Sequence, residues 1–221
     1  LDGQSGCVSV TNVLTGACSA LVTSPSYDPN LFSATISNSK WEKLNNDRYK
    51  PLINKSISNQ YPPGSTIKPF VAIAALEAGI SESKTIFCNG KHEIADKSLE
   101  SGVKTFHCWK KQGHGNVDLN EAIKVSCDVY FYQIAREIGI NKIAEVCKRF
   151  GLGKQVFNEF IEESNGLVPN KSWKKETLGT SWMVGETLSA GIGQGYFLAT
   201  AAQLSLALSL IHISEPTRRT P

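Results

Sequence analysis

Tyr61-Pro62-Pro63-Gly64-Ser65-Thr66-Ile67-Lys68-Pro69-Phe70-Val71-Ala72-Ile73-Ala74-Ala75-Leu76-Glu77-Ala78-Gly79 is the stretch that orders the rest of this chain. Two prolines and a glycine break the backbone before Ser65, and Gly79 stops it again. Between these breaks the pattern predicts a helix over 65–78. Ile67, Val71, Ala72, Ala74, Ala75 and Ala78 place small apolar groups on several faces, so this helix is expected to be buried nearly all round. A buried central helix needs other elements packed around it.

Those elements can be read outward on both sides. Toward the N-terminus, residues 6–24 alternate, turn at Leu14-Thr15-Gly16 and return, which predicts a hairpin. Residues 24–30 are irregular, and a short helix is expected near 39–46. Toward the C-terminus, residues 85–117 carry three of the four histidines, two cysteines and many glycines without a helical period. A structured loop or small ribbon is expected there. Three helices follow, over 119–126 (opened by Asp118), 129–138 and 141–150. Strands outside and helices inside give an α+β fold class.

The chain has 221 residues, 41% hydrophobic and 19% charged, enough for one domain with a real core and too apolar to be disordered. A net charge of +3, scattered along the chain, gives no case for nucleic acid. No apolar run approaches the ~20 residues needed to cross a bilayer. The chain opens without Met at Leu1-Asp2-Gly3, so its N-terminus is read as cut.

Ser65-Thr66-Ile67-Lys68 is the sharpest chemical feature. On a helix, the three-residue spacing puts Ser65 and Lys68 on one face, one turn apart. An amine held in an apolar pocket loses basicity, can accept the serine proton, and leaves a nucleophilic oxygen. The plainer reading is a serine cap followed by a surface lysine. Ile67, Pro69 and Phe70 around Lys68 favour a buried, paired amine. Lys68 Nζ is then expected within hydrogen-bond reach of Ser65 Oγ, with Ser126 Oγ near both. Ser126-Cys127-Asp128 lies between two predicted helices and could pass a proton. From spacing alone it reads as a helix–helix cap, with Asp128 as N-cap.

Together the motifs resemble a family. Residues 61–69 resemble the nucleophile motif of class B penicillin-binding proteins, and Ser126-Cys127-Asp128 matches its second motif in S-x-D form. Ser24–Asn30, Trp109-Lys110-Lys111-Gln112-Gly113-His114-Gly115 and Gly191-Ile192-Gly193-Gln194-Gly195-Tyr196 are similar to the penicillin-binding protein 2 subfamily, the elongation transpeptidases. The resemblance runs collinearly over about residues 3–208. It implies a penicillin-binding, β-lactamase-like transpeptidase fold and D-Ala-D-Ala acyl transfer. Ser65 would be the nucleophile, Lys68 the general base, Ser126 the shuttle and Asp128 its orienter, with no catalytic cofactor. Implied partners are the peptidoglycan stem peptide, β-lactams, and the glycan polymerase and scaffold of the elongation complex. The implied location is a periplasmic domain anchored in the inner membrane.

Cys88, Cys108, His114 and Cys127 are separated by 19, 5 and 12 residues, a spacing that by itself says little. The resemblance implies a structural Zn site there, since subfamily members carry Asp or Cys, His and Cys at these positions. A Cys88–Cys108 disulfide or plain buried thiols are the alternatives, and His107 is a rival ligand. Cys7, Cys18 and Cys147 are expected in the core.

The family's third motif, K-[ST]-G, occurs nowhere in the 221 residues. Leu208-Ser209-Leu210-Ile211-His212-Ile213-Ser214-Glu215-Pro216-Thr217-Arg218 resembles, codon for codon, a translated transposase sequencing adapter. Residues 1–207 are therefore expected to be a partial transpeptidase domain and 208–221 read-through, with no role for His212 or Arg218. Such a fragment is expected to be inactive. The competing readings are a serine β-lactamase, for which no deacylating base is evident, and a non-catalytic structural or regulatory module of the same fold.

Overall fold

The structure, a computed structural model, describes residues 4–157 and 159–214. It opens with strands β1 (Gly6–Thr11) and β2 (Cys18–Ser24) and helices α1 (Asn38–Asn45) and α2 (Lys68–Glu77). Strands β3 (Ile86–Cys88), β4 (Lys91–Ala95), β5 (Val103–His107) and β6 (Gly115–Val117) follow. The rest is helical: α3 (Leu119–Lys124), α4 (Asp128–Ile138), α5 (Ile140–Arg149), α6 (Lys171–Leu178), α7 (Val184–Gly191) and α8 (Ala201–Ser214). The chain divides into two compact units.

The first unit holds residues up to 61, 154–166 and those from 199 on. β1 and β2 pair antiparallel, with Val8 opposite Val22, and β1 packs on α8. Thr11 Oγ1 meets Ser205 Oγ at 2.6 Å on that side. Gln203 ties the unit's segments together: its amide donates to Lys154 O (2.7 Å) and Asn165 O (2.8 Å) and accepts from Thr200 N–H. The outer face of the hairpin carries Val8, Val10 and Val22, all exposed. Cys7 is half-buried and Cys18 exposed, so only Cys147 of the three cysteines expected in the core is there. An alternating strand read without its partners does not reveal which face is covered. Helix α8 runs through residues 208–214, while 215–221 lie outside the described residues.

The second unit holds residues 62–153 and 167–198. α2 packs against α4 and α5, and α4 packs against α7. Ile67, Phe70, Val71 and Ala74 are fully buried, as expected for the central helix. At Gly191 an added Cβ would lie 2.4 Å from Ala135 Cβ, so a glycine lets α7 approach α4 closely. The expected ribbon region resolves into two antiparallel pairs, β3–β6 and β4–β5. The expected helices are present with ends shifted by a few residues. Helices α6 and α7 are additions. For α6 the signals were present, since Asn170 accepts from Trp173 N–H (2.8 Å) and Gly179 closes it left-handed. For α7 they were weak, because Met183 stands at the N-cap.

His92 on β4 has its Nε2 buried without a partner among the described residues. Burial, and then the Arg136 charge, hold its pKa below the ordinary value. A depressed pKa means the unfolded chain binds the proton more readily, so this contribution to stability is present above about pH 6.5 and is lost as pH falls through the folded value. His92→Phe should therefore lose less urea stability between pH 7.5 and 5 than the parent. Equal losses in both would remove His92 as a source of acid sensitivity.

Candidate active site

Ser65 does not sit on an α-helix. It lies in a 3-10 turn, Gly64–Ile67, and the α-helix begins at Lys68. Pro69 accounts for the late start, since it has no N–H to give an earlier turn but fits a helix's first positions. The turn is fixed by contact with the Gly191–Tyr196 segment, where Gly64 N–H donates to Gly193 O at 2.9 Å. A Cβ on Gly193 would fall 2.2 Å from Gly64 O, so this approach requires glycine.

Lys68 is 2% exposed. Its ammonium donates to Asp128 Oδ1 (2.7 Å), Ser126 Oγ (2.9 Å) and Ser126 O (2.9 Å), and stands 5.6 Å from the centre of the Phe131 ring. Three donors meet three acceptors, so the buried charge is fully satisfied. The expected direct bond from Lys68 to Ser65 is not made among the described residues. Ser126 Oγ donates to Ser65 Oγ at 3.0 Å and so joins the serine to the amine.

The second motif is built by a helix ending. Ser126 N–H donates to Ile123 O and Cys127 N–H to Ala122 O, the paired bonds of a Schellman closure, which places Ser126 where glycine is usual. Its φ of 52° is left-handed, a conformation that costs an L-residue roughly 1–2 kcal/mol. This turn presents both the hydroxyl and the carbonyl of Ser126 to Lys68. Asp128 is not the N-cap anticipated from spacing. Cys127 holds that position, and the Asp128 carboxylate accepts from Lys68 through Oδ1 and from Trp109 N–H through Oδ2 at 3.0 Å. Ser65, Ser126 and Asp128 line a cavity of about 850 Å³ whose wall includes Phe106, Trp109, Tyr132 and Gln194.

Behind the second motif, the ligand atoms of Cys88, Cys108, His114 and Cys127 lie within 4.8 Å of one another. Gly90 and Gly113 allow this: a Cβ on either would fall about 2 Å from a backbone oxygen of the facing segment, at Lys111 and Cys88. His114 Nδ1 is 3.6 Å from both Cys88 Sγ and Cys108 Sγ. Tetrahedral bonds of ~2.3 Å to sulfur and ~2.0–2.1 Å to nitrogen require an S–N separation of ~3.6 Å, which these two distances match. All six cysteines are unpaired, and His107 lies outside the cluster. Burial pushes the metal-free Cys127 thiol up to about 12, and burial followed by the Lys110 charge lowers His114.

The sequence profile of the family "Penicillin binding protein transpeptidase domain" matches residues 6–213. The chain belongs to this family. Peptidoglycan D,D-transpeptidase MrdA of Escherichia coli (strain K12) is 40% identical over 212 residues, 96% of this chain and 33% of the relative. The structure of Pseudomonas aeruginosa PBP2 in complex with WCK 5153 superposes with a TM-score of 0.88 at 37% identity, over 95% of this chain and 45% of that one. Helicobacter pylori PBP2, solved in a complex with MreC, gives 0.85 at 36%, over 95% and 38%. The α+β transpeptidase fold is thereby established. The chain spans about a third of the length of the curated relative.

Removing one member of a buried ion pair strands the other, at a cost of about 3–5 kcal/mol, whereas replacing both with apolar groups is far milder. Lys68→Met or Asp128→Leu alone should each lower the unfolding free energy by about 3 kcal/mol. The double variant should regain most of that loss in urea titrations. A double variant as unstable as the sum of the singles would show that the pair does not carry the site's charge balance.

Proposed function

We propose that this chain is part of a serine D,D-transpeptidase that cross-links peptidoglycan stem peptides during cell elongation. The supporting observation is the continuous hydrogen-bonded line from Ser65 Oγ through Ser126 Oγ to Lys68 Nζ. In the acylation step, Ser65 Oγ attacks the carbonyl carbon of the D-Ala-D-Ala bond. Once the Lys68 ammonium has passed a proton along its 2.7 Å bond to Asp128 Oδ1, the Ser65 proton moves to Ser126 Oγ while the Ser126 proton moves to the Lys68 amine. The same line then returns a proton to the nitrogen of the departing D-Ala as the C–N bond breaks. An amine on a neighbouring strand takes the acyl group and regenerates Ser65. Asp128 orients Lys68 and holds the proton that the ammonium gives up, returning it when the line resets. A β-lactam carbonyl would take the place of the substrate's and leave Ser65 acylated. The scheme uses only side chains of the chain and calls for no catalytic cofactor.

In this proposal the whole protein would be anchored in the inner membrane with this domain in the periplasm. Among the described residues, no helix is long and apolar enough to cross a membrane. The MreC complex of the H. pylori relative supports a scaffold partner, and a similar chain solved in a peptidoglycan synthase complex that coordinates polymerization and crosslinking supports a glycan polymerase. Cys88, Cys108, His114 and Cys127 would hold a structural Zn²⁺, which would brace the turn between Ser126 and Asp128 through Cys127. Residues 1–207 are the partial domain in this reading and 208–221 adapter read-through. Leu208 and Ile211 are apolar enough to prolong α8 whatever their origin. The exposed Val8–Val10–Val22 face supports further strands or helices in the whole protein.

In the protein extended to the length of its relatives, labelled penicillin should add once, at Ser65. Ser65→Ala should abolish the adduct, and Lys68→Ala should slow it by ~10²-fold or more. The 221-residue chain, without K-[ST]-G, should be labelled weakly or not at all. Rapid turnover of a chromogenic cephalosporin would instead favour a β-lactamase. Elemental analysis should find one zinc per domain, lost in Cys88→Ser and His114→Ala together with thermal stability. Zinc-free native protein, or a Cys88–Cys108 disulfide in it, would refute the metal site.

A further inference from the structure

We propose that Trp109 is a positioning residue for the acyl transfer. Its indole N–H holds the Ser126 carbonyl in the left-handed turn that aims the Ser126 hydroxyl at Ser65. The inference deepens the transpeptidase reading and rests on it for the identity of the reaction.

The Ser126 conformation is unfavourable and must be held from outside the turn. Its N–H is used in closing α3, where it donates to Ile123 O. Two donors meet the Ser126 carbonyl oxygen: Lys68 Nζ at 2.9 Å and Trp109 Nε1 at 3.1 Å. Trp109 Nε1 also reaches Val125 O at 3.1 Å, so the indole spans the helix end and the turn. The backbone N–H of Trp109 donates to Asp128 Oδ2. One residue therefore touches both polar members of the second motif, on either side of Cys127. Trp109 is itself anchored, following buried Cys108 and setting its ring edgewise to His114 at 5.3 Å.

Two physical points separate this role from ordinary packing. Trp109 is 64% exposed, so burial of its ring gives little reason for a tryptophan there. The two donors on Ser126 O also behave differently during the reaction. Hydrogen bonds from a charged group are roughly twice as strong as neutral ones, so the Lys68 bond to Ser126 O weakens at the moment the ammonium hands on a proton in the transfer. The indole N–H does not change its charge. It is the donor that keeps the carbonyl fixed while Ser65, Ser126 and Lys68 exchange protons.

The test uses the protein extended to the length of its relatives, with Trp109 replaced by 3-benzothienylalanine, which keeps the bicyclic shape and lacks the N–H. Trp109→Phe is the second variant. With labelled penicillin, the acylation rate constant at saturation should fall by about tenfold, the loss of one hydrogen bond of ~1.4 kcal/mol. In the benzothienyl variant, which keeps the ring that lines the Ser65 cavity, the dissociation constant before acylation should stay within twofold. In a Ser126→Ala background the same replacement should have no further effect, because Trp109 acts through Ser126. Crystal structures of the variant should show Ser126 Oγ moved beyond hydrogen-bond reach of Ser65 Oγ. Unchanged acylation, an equal loss in the Ser126→Ala background, or an unaltered Ser126 turn would each overturn the inference. If the unmodified protein is not acylated at all, the transpeptidase reading fails, and the Ser126 turn in the crystal still decides the role of Trp109.

Discussion

A single ammonium group, Lys68 Nζ, organises the second unit. It is almost completely removed from water and keeps its charge partners within 3 Å: one Asp128 oxygen and two Ser126 oxygens. A buried charge of this kind is tolerable only when every donor is matched. Each neighbouring feature helps to match it. α3 must end in a left-handed residue so that Ser126 can offer both oxygens. α4 must begin at Asp128, and α2 must begin at Lys68, which Pro69 permits.

The nucleophile is placed by a different constraint, which is steric. Gly64 and Gly193 meet backbone to backbone, and neither the turn carrying Ser65 nor the loop after α7 could hold its path with a side chain at Gly193. Electrostatics thus fix the amine and its shuttle, and close packing fixes the hydroxyl that they serve. Ser126 Oγ is where the two arrangements meet. This explains why the amine reaches Ser65 through Ser126: with its three donors already matched, Lys68 has none left for a direct bond.

The cysteine–histidine cluster shows how a weak sequence signal becomes specific in three dimensions. Intervals of 19, 5 and 12 residues carry no metal signature by themselves. The pairing of β3 with β6, and the two glycines that let the 108–114 loop fold over residues 88–90, bring the four side chains together. Cys127 then links this cluster to Ser126 and Asp128 by covalent neighbourhood, and Trp109 links it to the same two residues by hydrogen bonds.

Local sequence marked helices α1 to α5, their stops and the chemistry on offer, while α6, α7 and α8 went unread. Glycine, proline and Asp118 mark most of the boundaries, and the alanine-rich pattern of α2 indicated burial nearly all round, which holds as far as Ala75 while Leu76 and Ala78 are exposed. Such signals act within a few residues, where backbone sterics and capping operate. The sequence could not show that Ser126 adopts a left-handed conformation, since serine there competes with the glycine that the turn prefers. Nor could it show that Asp128 turns its carboxylate to Lys68, 60 residues away, instead of capping its own helix. The burial of β1 and β2 was equally hidden, and valines lie on the exposed face while Ser9 and Thr11 face α8. These outcomes depend on which charges and surfaces meet across long sequence separations, and only the tertiary structure brings those partners together.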